Sequence, residues 1–440
     1  MVPATAEDPP ADVLRWGNAE YVNLSIGDSH TYQGHTISLT AVNCDRCRVD
    51  VDGVAIELTV ARRLRPTHVG SIRLFAADNR PVAELTSDDS FPLIHAALTK
   101  DAIICISDAS RPLLDRERFV FPISRQDGFV WRMTENSHMF AYLRPPRAHE
   151  GIDINMHEAR GRNIHRLVAI ENCRVAVVAG GKPNEACVIL QSTTKPDIFY
   201  IYQHLYRPRV AVREGEQVKR GDPIGTIWGD GRWGHLHFAA LISDTVPTFD
   251  ERYQSLLNCF PQLYELWHGD LASRPFERTS GDFRFAPQYY RGGNVQCLNA
   301  YSDVLGYGWL LGDWCTASKV ESSRTDEGLK ADQSAILRRV MHRRTVHPAL
   351  NPSPDFDFEV DVLPGRYRVR ARIGDQFEAT WQRVQFEDTV VGEYDQPAGQ
   401  VRWTPETQVQ VDDGRLTIRL SLRGDEQPAG IRELYFVKDR

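Results

Sequence analysis

No apolar run in the chain approaches the roughly 18 residues that a membrane-spanning helix needs, so no span is expected. Positive charge is not in surplus either. Lys and Arg number 52 against 59 Asp and Glu, a net charge of −7, which argues against nucleic acid or an anionic membrane as partner. Met1 to Asp12 carries no hydrophobic segment of signal-peptide type, although a trimmed export signal would leave the same start. Cysteine is sparse, with eight in 440 residues. The CxxC at Cys44-Asp45-Arg46-Cys47 has no second pair nearby, so a four-cysteine zinc site is not supported and a local disulfide or two buried thiols is the better reading. Cys173 with Cys187, flanking a hairpin, and Cys297 with Cys315 have the spacing to bridge in an oxidising compartment.

What the chain does have is β patterning. Its length suggests about three domains, and 42% hydrophobic with 25% charged residues is the balance of a globular protein. Residues 1–18 read as disordered or linking. Short β-type runs from Tyr21, with Asp52-Gly53 as a hairpin dipeptide, predict a small N-terminal β-domain over 19–115. Its histidines, His30, His35, His68 and His95, lack ligand-like spacing. A second β pattern starts near residue 116. Apolar residues at helical intervals from Phe249 to Trp267, interrupted by Pro261, predict a bent or split helix closing this segment at 270. A linker over 271–285 and an alternating, turn-punctuated β-sandwich over 286–440 follow, with 331–341 a short helix or long loop. The fold class is mainly β.

The chemistry gathers in the middle segment. In Gly234-His235-Leu236-His237-Phe238, the two histidines leave one face of a strand, because side chains alternate with a period of two. Upstream stand His149-Glu150-Gly151-Ile152-Asp153 and the strand-like Tyr200-Ile201-Tyr202-Gln203-His204-Leu205. Three nitrogen or oxygen ligands with an open fourth position hold a catalytic zinc. Two histidines are left over for proton transfer, which makes this an enzyme hypothesis. Either an HxH or an HxxxD alone is common by chance; an ordered set is not. His157 and His165 read as surface or loop histidines. Arg207, Arg209, Arg213, Lys219 and Arg220 read as a solvated basic face.

Over about 116–244 the segment resembles the lysostaphin-type, LytM-like zinc metallopeptidases of bacterial cell walls. The carrying residues are His149 to Ile154, Tyr202-Gln203-His204-Leu205, Arg213 through Gly225, and Gly234 to Phe238, all in the family's order. The resemblance implies an antiparallel β core and zinc ligands His149, Asp153 and His237. It gives His204 and His235 the bound water and the scissile carbonyl, in roles the sequence does not divide between them. Tyr142 is a candidate oxyanion donor or an aromatic wall. Zinc accepts imidazole and carboxylate and lowers the pKa of its water to about 7, and histidine titrates near 6.5.

Ala239 stands where the family often has an acidic residue, and the stretch Asn155–His165 is longer and more polar than usual; both bear on subsites. The expected substrate is a peptide bond in the stem or cross-bridge of peptidoglycan, outside the cytoplasm. The rival readings are a non-catalytic wall-binding or hydrolase-activating relative and a secreted peptidase for glycine-rich proteins. The last region resembles galactose-binding-like sandwich modules through Gly306 to Leu310, Phe358 to Val369 and Val411 to Leu416. This implies a carbohydrate partner, with Trp309, Trp314, Trp381 and Trp403 as candidates for stacking on sugar rings.

Overall fold

The computed structural model describes residues 12–43, 46–60, 66–86, 94–125, 143–144, 147–148, 150–155, 165–180, 182–229, 234–269, 276–286, 295–296, 301, 306–310, 318–322, 334–339, 355–423 and 427–439. The protein is mainly β and nearly all its strand pairs are antiparallel. It divides into two compact units, the first Met1–Met133 with Ser137–Ser273, the second chiefly Arg274–Arg440.

In the first unit, the N-terminal part has a five-stranded and a four-stranded sheet. Asp52 and Gly53 join two strands of the latter with φ of 52° and 88°, the double positive that a tight hairpin turn requires. The segment with the motifs is a seven-stranded sheet. Its working strands are β1 (Ile152–Asn155), β2 (Cys173–Ala179), β3 (Glu185–Ser192), β4 (Ile198–Tyr206) and β5 (His235–Ile242), in the spatial order β1-β5-β4-β3-β2. A row of fully buried side chains fixes the register: Ile152 pairs with Phe238, Phe238 with Tyr202, and Tyr202 with Val188. A one-residue slip would turn that apolar row to the other face, so the register is strongly specified. Buried polar bonds tie the N-terminal part to this sheet. The Trp16 indole N–H donates to the Tyr200 hydroxyl at 3.0 Å, and that hydroxyl donates to Glu171 Oε1 at 2.5 Å.

The closing helix differs from the expectation. It covers only Phe260–His268, while Leu256–Leu257 pairs with β5 instead. Pro261 lies in the first turn, where a missing N–H costs nothing, so proline starts this helix and does not bend it. The Cys173–Cys187 bridge is also not formed. Both are free thiols, because Cys173 lies opposite Ser192 and Cys187 opposite Ala179, several rungs apart. His165, read as a surface or loop histidine, lies just before the strand Arg166–Val168 and is buried. Cys44, Cys297, Cys315 and His157 lie outside the described residues.

The second unit is a sandwich of an eight-stranded and a five-stranded sheet. Its core joins Tyr367, Val369 and Ala371 of β6 (Gly365–Asp375) to Leu416, Ile418 and Leu420 of β7 (Arg415–Ser421). Part of the expected linker belongs to it, since Ser280–Ala286 pairs along β8 (Ala429–Lys438). Within 331–341, Ala335–Arg339 is a strand that buries Ile336 and Leu337, not a helix or loop. Among the described residues no helix is long and apolar enough to cross a membrane.

Burial pushes the Glu387 carboxyl up to about 7; the Thr417 N–H lowers it, and Asp413, Asp388 and Glu359 add to the rise. The folded state therefore binds this proton more tightly than the unfolded chain. The resulting stability is full below the unfolded value of about 4.3 and is lost as pH rises through about 7. Thermal unfolding of parent and Glu387→Gln between pH 5 and pH 8 checks this. The variant should lose less stability over that range, and parallel curves would refute the assignment.

Candidate active site

Directly opposed residues in an antiparallel sheet share a face. Asp153 of β1 lies opposite His237 of β5, His237 opposite Gln203 of β4, and Gln203 opposite Cys187 of β3. This row runs along the face away from the apolar one. His235 joins it two residues before His237, opposite Asn155. The His237 Nδ1 to Asp153 Oδ1 distance is 3.0 Å, and His235 Nε2 approaches the same oxygen at 3.4 Å. Asp153 and His237 are buried at 3% and 5% exposure. Gly151 makes room for them: a Cβ there would meet the His237 ring at 2.8 Å and the Phe238 carbonyl at 2.7 Å.

His204 needs a backbone irregularity to belong here. Counted along a regular strand it shares a face with Tyr200 and Tyr202, which are wholly buried on the apolar side. The ladder skips it, however. Ala186 pairs with Leu205 and Cys187 with Gln203, so His204 is the extra residue of a β-bulge. Its φ is 66°, in the left-handed region, and its carbonyl accepts the Trp228 N–H at 2.8 Å. The bulge turns the imidazole to the site face, where its ring centroid lies 4.6 Å from that of His235 and 6.2 Å from that of His237. Leu205 beyond the bulge returns to the core. A side-chain-bearing residue in this conformation costs about 1–3 kcal/mol.

The surroundings are polar and specific. His204 Nδ1 is hydrogen-bonded to Glu185 Oε1, with Lys182 Nζ 4.0 Å from Oε2. Burial works to raise the Glu185 carboxyl, but the bond and charge of His204, with Lys182 and Arg252, hold it below its usual value. A depressed carboxyl adds stability above its unfolded pKa and loses it as pH falls through the lower folded one. The Tyr253 hydroxyl donates to Gln203 Oε1, and its ring meets that of His237 edge-on at 5.6 Å. Burial pushes that hydroxyl well up, so it acts as a donor.

Of the expected site residues, Asp153, His204, His235 and His237 come together. His149 and Tyr142 lie outside the described residues. Among the described residues no set of three His, Cys, Asp or Glu side chains is arranged to hold a metal. Asp153 and His237 have the donor chemistry of a zinc site, one carboxylate and one imidazole at close approach in a buried place. The expected set is completed by His149. Glu185 and Gln203 escaped the sequence reading. The bulge that matters to both leaves no mark in residue type.

The comparison that decides the family is with family models: Peptidase family M23 matches residues 147–247, which include all four converging side chains. This segment is a peptidase family M23 domain. Among curated proteins nothing matches the chain. Solved structures similar to it include protein YxiM of Bacillus subtilis, 14% identical over 36% of this chain and 40% of that one, TM-score 0.26. The catalytic domain of the antimicrobial peptidase lysostaphin from Staphylococcus simulans is 20% identical over 27% of this chain and 81% of its own, TM-score 0.22. A zinc-containing peptidase from Vibrio cholerae is 15% identical over 52% and 85%, TM-score 0.24. The chain thus spans less than half the length of the first of these.

The bulge in the M23 domain yields a stability test independent of activity. His204→Gly should be more stable than His204→Ala by about 1 kcal/mol, since glycine takes positive φ without strain. Denaturant unfolding measures it; alanine equal to or better than glycine would refute the strained bulge.

Proposed function

We propose that the protein is a zinc endopeptidase that hydrolyses peptide bonds in the stem or cross-bridge peptides of peptidoglycan. The observation that carries the reading is the 3.0 Å approach of Asp153 to His237, with His204 and His235 on the same face of an M23 domain. In this reading His149, Asp153 and His237 hold the zinc. When bound, the ion supplies Lewis acidity to the scissile carbonyl and makes water nucleophilic near neutral pH. The chain's own work is orientation and proton traffic. Asp153, buried against two imidazoles, keeps their rings aimed at one point. His204 and His235, each partly open to solvent, exchange a proton with the attacking water and the leaving amine or stabilise the developing oxyanion. Tyr142 is the candidate further donor to that oxyanion. The substrate would lie outside the cytoplasm, which sets the expected localisation.

The sandwich is assigned to holding wall carbohydrate. Trp403, 36% exposed with the Arg370 guanidinium 4.6 Å from its ring, and the half-buried Trp381 are the stacking candidates. Trp309 is removed from that role, being fully buried in the core, and Trp314 lies outside the described residues.

Muropeptides and glycine-rich peptides, digested with the zinc-loaded protein and read by mass spectrometry, test the reading. The parent should cleave muropeptides; chelation should abolish cleavage and added zinc restore it. His235→Ala should lower kcat by about 10²-fold or more. Asp153→Ala and His237→Ala should lose both bound zinc and cleavage. Cleavage by His237→Ala equal to that of the parent would contradict the proposal.

A further inference from the structure

We infer that Glu185 is a positioning residue that makes His204, and not His235, the general base, by fixing the tautomer of its imidazole. The inference rests on the peptidase reading and divides the labour that reading leaves open between two histidines. Glu185 opens β3, buried at 5% exposure opposite Tyr206. It lies two residues before Cys187 and therefore on the site face. The bulge brings the His204 ring to that same face, and Oε1 of Glu185 meets its Nδ1.

An ionised carboxylate only accepts, so Nδ1 carries the proton, and the neutral ring keeps its lone pair on Nε2. A carboxylate fixed at Nδ1 also favours the cation that forms when Nε2 gains a proton. Asp153, 3.4 Å from His235 Nε2, is committed to the metal in the peptidase reading. The step balances without further reagents. As the water oxygen bonds to the carbonyl carbon, its proton passes to His204 Nε2. When the C–N bond breaks, that proton leaves with the amine nitrogen.

The test uses the full chain with ¹⁵N-labelled histidine, read by NMR without added metal, alongside kinetics of the zinc-loaded protein. His204 is identified by its signal missing from His204→Gln. In the parent its Nδ1 should be protonated and its Nε2 not. Glu185→Ala should give a tautomer mixture and lower kcat by about 10²-fold with little change in KM. Glu185→Gln, whose amide oxygen still accepts, should keep the tautomer and lose about 10-fold in kcat, since the charge is gone. An unchanged tautomer in Glu185→Ala overturns the inference, as does unchanged kcat. Should the alanine variant not fold, Glu185→Gln decides alone, and kcat equal to that of the parent refutes it. A parent that cleaves nothing while the tautomer follows Glu185 overturns the base role together with the peptidase reading. A cleaving parent with an unaffected tautomer overturns only the positioning.

Discussion

At His204 the strand departs from its pleat, and the consequences reach through the whole site. A regular strand at that point would send the imidazole in beside Tyr200 and Tyr202, into an apolar row that has no use for it. The extra residue, with φ of 66°, turns the ring toward Glu185 and His235 and returns Leu205 to the core one residue later. Strain of this kind persists only where neighbours over-determine it. Here they include the Trp228 N–H on the His204 carbonyl, the Glu185 carboxylate on the ring, and the register held by Phe238 against Tyr202.

Much of the site was legible in sequence because its residues obey the strand period. His235 and His237, two apart, had to share a face, and the apolar Leu236 and Phe238 fixed which face that was. The His149–Asp153 spacing stood out as a ligand pair, but the family resemblance supplied its place beside the histidines, since nothing local announces that β1 pairs with β5. His204 was visible at the end of its strand-like run, and its role came by the same route. Its parity with the tyrosines argued against it, and only the bulge reconciles the two. Glu185 was invisible because a carboxylate at a strand start is ordinary, and its partner lies 19 residues on across a bulged pair. Proline was misread for a positional reason, as Pro261 starts a helix that periodicity extended too far back.

The N-terminal part contributes support to the M23 domain. Trp16, Tyr200 and Glu171 form a buried chain of hydrogen bonds, and Arg73 pairs with Glu265 at 2.9 Å. Fully satisfied buried polar groups of this sort rigidify what they join. Tyr200 belongs to the strand that carries the bulge, so these contacts brace β4 from the side opposite the site. Tyr367, Phe358 and Trp309 are among the large apolar residues that fill the core of the second unit, while Phe377 and Trp403 lie at its surface.

Anomalous diffraction at the zinc edge, from crystals of the whole chain grown with zinc, tests the convergence of these side chains most directly. One strong peak is expected, shared by Asp153 and His237, with His149 as third donor and with His204 and His235 facing it without binding. A peak elsewhere, or one that takes His204 or His235 as a ligand, would contradict it.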